Sequence, residues 1–132
     1  MIKFVGILVA EPIGFKCPIP EGFFYIDHPH ITLLSWELSK ENKQKLRDTD
    51  LSILDEFPSI TWNKPYLADN GKKISIVRDA IEQQAIKAWV WKAIADLKLD
   101  CYVDNSRIYH VSVANKTGSQ YDSVPDPWNH RK

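Results

Sequence analysis

From residue 2 to residue 10 the chain reads IKFVGILVA, apolar at nearly every position. A run of that kind predicts one strand buried on both faces. EPIGFKCPIPEG follows, and its three prolines and two glycines mark an irregular connection. HITLLSWE, residues 30–37, is the second predicted strand. In SKENKQKLRD, residues 39–48, Ser39 can cap a run of good helix formers, but Leu46 is its one large apolar residue. A short, exposed helix is expected there. SITWNKPYLADNGKKISIV, residues 59–77, reads as a hairpin: Asn70-Gly71 supplies the positive φ angles of a tight turn, and Pro65 marks an edge strand.

The strongest periodicity lies in residues 79–98, DAIEQQAIKAWVWKAIADLK. Ile86, Val90, Ala93 and Leu97 recur at helical spacing, and Ala85, Trp89 and Ile94 widen the stripe. Asp79 with Glu82 three residues on has the form of a capping box, which places the helix start at Asp79. Trp89 falls on the apolar stripe and is assigned to the core, not to a stacking platform. RIYHVSVANK, residues 107–116, is the last strand, and the turn-rich tail 117–132 is a loop or flap. Mixed strands and helices in one chain of 132 residues predict a single α+β domain, with an antiparallel sheet and a few helices. Two approximate lobes, 1–56 and 57–116, precede the tail.

Charge narrows the partners. Lys plus Arg equals Asp plus Glu at 17 each, without a basic stripe, which disfavours a long nucleic acid and leaves a small anionic ligand open. Cys17 and Cys101 stand alone, so a structural zinc site is not expected and a reducing, cytoplasmic setting is. The apolar opening lacks the cleavage site of a signal peptide, and no run reaches membrane-spanning length.

Two fragments carry chemistry: PHITL at residues 29–33 and YHVSV at residues 109–113. Side chains alternate across a strand, so His30 and Thr32 share one face while Ile31 and Leu33 take the other. His110 and Ser112 likewise share a face opposite Tyr109, Val111 and Val113. Thirteen of the 132 residues are Ser or Thr, so a hydroxyl two residues after a given His arises by chance about one time in ten. Two copies in matched alternation are a stronger signal than either alone. If the strands adjoin, two imidazoles and two hydroxyls converge. Cleaving a phosphodiester needs a base and an acid near neutral pH, which two histidines supply, and donors for the non-bridging oxygens, which the hydroxyls supply. Which histidine plays which role stays open at this level.

Two H-x-[ST] motifs on apolar strands, eighty residues apart, resemble the 2H phosphoesterase superfamily, and FVGILV is similar to that family's first strand. The resemblance implies a compact bilobal α+β fold, with antiparallel sheets flanking a central cleft and helices outside. It also implies metal-independent cleavage of cyclic nucleotide phosphodiesters, with His30, Thr32, His110 and Ser112 as the catalytic set and no cofactor. HVSVANKTGSQYDSV further resembles the phage branch that destroys cyclic oligonucleotide immune signals. The proline-rich stretch 12–20 stands where the family has a helix, a trimming that widens one side of the cleft.

Substrate-binding candidates are Tyr25 and Trp36, aromatics adjoining the first motif and suited to stacking a base. Lys116 is a point charge four residues after Ser112, and Trp128 a closing residue in the tail. His28 and His130 are read as loop residues, and no metal is assigned because no carboxylate or thiolate is placed by sequence to join His28 and His30. A module that sequesters a nucleotide without cutting it, and an interaction protein with structural histidines, are the rival readings.

Overall fold

The opening apolar run is two strands and not one. In the computed structural model, which describes all 132 residues, β1 (Ile2–Phe4) turns back through Val5 and Gly6 into β2 (Leu8–Ala10). Ile2 lies opposite Ala10 and Phe4 opposite Leu8. Gly6 sits at φ +88°, a left-handed value that only glycine adopts without strain. Val5 is apolar yet exposed at the tip, so hydrophobicity hides the break.

The remaining elements are β3 (Phe24–Tyr25), β4 (Ile31–Leu34), α1 (Lys40–Asp48), β5 (Tyr66–Asp69), β6 (Ile74–Asp79), α2 (Gln83–Asp96) and β7 (His110–Asn115), with three short 3-10 turns. All seven strands form one antiparallel sheet in the order β1-β2-β4-β7-β6-β5, and β3 pairs β7. The expected sheets on either side of a cleft are therefore joined. Their seam is narrow, the single pair Ile31↔Val111 between β4 and β7. As Pro65 implied, β5 takes an edge of the sheet, although the tail partly covers it: Lys132 N–H donates to Leu67 O at 2.9 Å.

One face of the sheet is a packed core. Leu8, Ala10, Ile31, Leu33 and Tyr109 meet Ile86, Trp89, Val90, Ala93 and Ile94 of α2, the stripe that the spacing predicts. Leu33 is fully buried, so truncation to Ala is expected to cost about 2–5 kcal/mol. Farther along, Val111 and Val113 are covered by Phe15 of the proline-rich stretch, with Cys17, Ile19 and Phe23 around it. Residues 12–25 of the first half thus serve the second half. α1 is capped by Ser39, whose hydroxyl accepts from Asn42 N–H at 3.1 Å, but it is less exposed than expected. Asn42 is buried with Leu46, and its amide bonds both backbone polar groups of Asp100.

The Asp79–Glu82 capping box does not form. Asp79 ends β6 opposite His110, and α2 begins four residues later. The sheet ladder claims the residue that local pattern would give to the helix. Glu82 accepts instead from the amide of Thr61 at 2.8 Å and from its hydroxyl. No helix is long and apolar enough to cross a membrane.

Candidate active site

Both H-x-[ST] motifs meet at the seam. Ile31 pairs with Val111, so in an antiparallel register His30 lies opposite Ser112 and Thr32 opposite His110. These four side chains share the face away from the helices. Directly opposite residues bring their Cβ atoms to about 5 Å, and diagonal ones to about 7–8 Å. The imidazoles are the diagonal pair, and so are the hydroxyls. A cleft of about 220 Å³ is lined by all four.

The two rings are held alike. His30 Nδ1–H donates to His28 O at 3.0 Å, and His110 Nδ1–H to Ile108 O at 2.8 Å. A carbonyl can only accept, so Nδ1 carries the hydrogen and Nε2 is left to take or give a proton. Neither Nε2 nor either hydroxyl has a hydrogen-bond partner within the protein. The cleft therefore gathers four groups whose bonding capacity is unspent.

Their surroundings differ. Trp128 packs edge-on against His110, with ring centroids 5.5 Å apart. Desolvation is the largest influence on His110 and takes its pKa below the ordinary imidazole value. The Ile108 carbonyl and the Asp79 carboxylate oppose that shift, while Arg107 and His30 add to it. Asp79 faces His110 across the ladder and accepts from the Tyr66 hydroxyl at 3.1 Å. Burial, then Asp79, raises the pKa of that hydroxyl. Tyr109, the residue before His110, is clamped by Gln83: its N–H donates to Gln83 Oε1 at 2.9 Å and its carbonyl accepts from Gln83 Nε2 at 2.7 Å.

Trp36 lines the cleft with its orientation set from beneath. The Arg107 guanidinium lies 3.9 Å from the ring centre, and the indole N–H donates to Asp104 Oδ2 at 2.9 Å. Arg107 is in turn paired with Glu37 at 2.5 Å, both side chains being buried. Burial alone would raise the Glu37 pKa, but hydrogen bonds from Arg107 and the Ser35 amide hold it low. Trp36 thus offers a fixed aromatic face. Its position beside the motif was legible; the Arg107–Glu37 support was not, because its members lie seventy residues apart.

The tail forms the third wall. Asn115 Oδ1 accepts from Thr117 N–H and Gly118 N–H, and Asn115 Nδ2 donates to Ser119 O at 2.7 Å. Gly118, at φ +81°, leaves little room for a side chain, because a Cβ there would lie 3.2 Å from the Tyr25 carbonyl oxygen. Ser75 Oγ, beside Asn115 in the ladder, accepts from Val124 N–H at 2.8 Å. These bonds return the chain over the sheet, so that Val124, Pro125, Asp126 and Trp128 border the cleft.

Two predicted ligand contacts lie elsewhere. The Tyr25 hydroxyl donates to Cys17 O at 2.7 Å, which ties the proline-rich stretch to β3. The Lys116 ammonium sits 4.2 Å from the Phe23 ring centre. Neither residue lines the cleft. Sequence spacing placed them next to the motifs along the chain, whereas β3 meets β7 at its far end, at Ala114 and Asn115. His28 lends its carbonyl to His30, the His130 carbonyl accepts from Asp69 N–H, and no three His, Cys, Asp or Glu side chains converge as a metal site requires. Asp79, Gln83 and Asn115 were missed as supporting residues. The signal for Asp79 was its place at the end of an alternating strand. No family model, curated protein or solved structure matches the chain.

Proposed function

We propose that the protein is a metal-independent phosphodiesterase of the 2H type that hydrolyses cyclic nucleotide phosphodiesters. The observation that carries this reading is the convergence of His30, Thr32, His110 and Ser112 in one cleft, with both Nε2 atoms and both hydroxyls unpartnered. Because desolvation disfavours the charged form of His110, we assign its Nε2 as the base. His110 takes a proton from water as the water oxygen bonds to phosphorus. The bond from phosphorus to the ester oxygen breaks, and protonated His30 gives its Nε2 proton to that oxygen. The products are a phosphate monoester and an alcohol, and solvent exchange restores both rings. Thr32 and Ser112 donate to the non-bridging oxygens, where charge builds in the transition state.

Two-prime, three-prime cyclic phosphates and cyclic oligonucleotide signals both fall in this class. Incubation of the protein in EDTA with guanosine 2′,3′-cyclic phosphate, followed by mass spectrometry, is expected to show the mass of one added water. Ligand that binds and returns intact overturns the enzymatic reading in favour of a sequestering module.

A further inference from the structure

The cleft around the histidines is small for its ligand. Its volume of about 220 Å³ falls below the ~300–1,000 Å³ usual for small-molecule sites. A phosphate and part of its sugar fill that space, so the nucleosides flanking the phosphate need room outside it. At the exit of β4 the Trp36 face offers such room. At the other end of the motif a second groove of about 620 Å³ adjoins the cleft, and the two share Ile7, Pro29, His30 and Gln120.

Tyr121 lines this groove with its side chain 79% exposed. The backbone beneath it is fixed: Tyr121 N–H donates to Ser119 Oγ at 3.3 Å, and its carbonyl accepts from Lys73 Nζ at 2.7 Å. An open aromatic ring on an anchored backbone, beside a phosphate site, suits base stacking. Charge selects further. Lys3 is paired with Glu11 at 3.7 Å, and Asp27 adds a second carboxylate. The two carboxylates can accept hydrogen bonds from the imino and amino groups of a base such as guanine.

We propose that the groove is the subsite for a second nucleoside, its base stacked on Tyr121, so that the scissile phosphate is held between two nucleosides. This rests on the phosphodiesterase reading and names its preferred substrate: a dinucleotide or longer, over a mononucleotide. The test measures equilibrium binding and cleavage of a cyclic guanosine dinucleotide and of guanosine 2′,3′-cyclic phosphate by the wild-type protein, Tyr121→Ala and Tyr121→Phe. Tyr121→Ala is expected to weaken binding and kcat/KM for the dinucleotide about tenfold, with the mononucleotide, and Tyr121→Phe on both, changed less than about twofold. Equal losses on both ligands, or none on the dinucleotide, overturn the subsite. Dinucleotide binding with the expected dependence on Tyr121, but no cleavage of either ligand, upholds the subsite and overturns the phosphodiesterase.

Discussion

His30 enters β4 from a segment that bulges away from β7, whereas His110 opens β7 already paired with Asp79 of β6. Between the pairs Tyr25↔Ala114 and Ile31↔Val111 there are six steps on the first strand against three on β7, so three extra residues loop out just before His30. His110 instead faces Asp79, follows a clamped Tyr109 and is covered by Trp128. His30 borders both the small cleft and the larger groove; His110 borders only the cleft. The same motif thus occurs in two environments: His30 borders both cleft and groove, while His110 packs against Trp128 and is desolvated enough to lower its pKa. On the proposed reading, the motif supplies the reactive groups and their neighbours divide the labour between base and acid.

The largest expected effect comes from removing either ring. His30→Ala and His110→Ala should each lower kcat/KM on a cyclic nucleotide by about 100- to 10,000-fold, the range typical of acid–base groups, measured by steady-state kinetics. Retention of activity in one variant alone would show that the halves are not equivalent parts of one centre.

The support beneath Trp36 belongs to the β4 side of the comparison. Glu37→Gln strands the buried Arg107 charge and should cost about 3–5 kcal/mol in denaturant unfolding. Thr32→Ala and Ser112→Ala should lower kcat by roughly tenfold to a hundredfold each, with smaller effects on KM, because the developing charge is felt most in the transition state. A loss confined to KM would mean that the hydroxyls only hold the ground state.

Trp128→Ala sharpens the difference between the rings through pH. The base must be unprotonated, so the acid limb of kcat/KM in the wild-type protein should fall below the ordinary histidine value of about 6.5. Rehydrating His110 should move that limb up towards the ordinary value. Stability follows the same sign. The folded pKa is lowered, so on acidification the unfolded chain binds the proton first, and stability falls as the pH drops below about 6.5 towards the folded value. An acid limb unmoved by Trp128→Ala would remove the tail from the account of His110.

Much of this was legible where local pattern and long-range pairing agree. Alternation alone put His30 with Thr32 and His110 with Ser112 on faces opposite their apolar neighbours, and the stripe of α2 chose its own buried side. The Asn70-Gly71 turn and Pro65 placed β5 at an edge. What stayed hidden depended on partners distant in sequence. The break at Gly6 lies within an unbroken apolar run, and the role of Asp79 follows from its pairing with His110. Asn115 reads as one more polar residue at a strand end, yet its amide folds the tail back and so sets where Trp128 lies. Tyr25 and Lys116 show the reverse error, in which closeness along the chain was taken for closeness in space.

The central claim is that residues 30 and 110 act as a unit on one phosphate. Groups that work together lose activity non-additively, so turnover of the His30→Ala/His110→Ala double variant should lie within about threefold of the slower single variant. Losses that multiply, the double variant falling by the product of the two single effects, would contradict a shared centre.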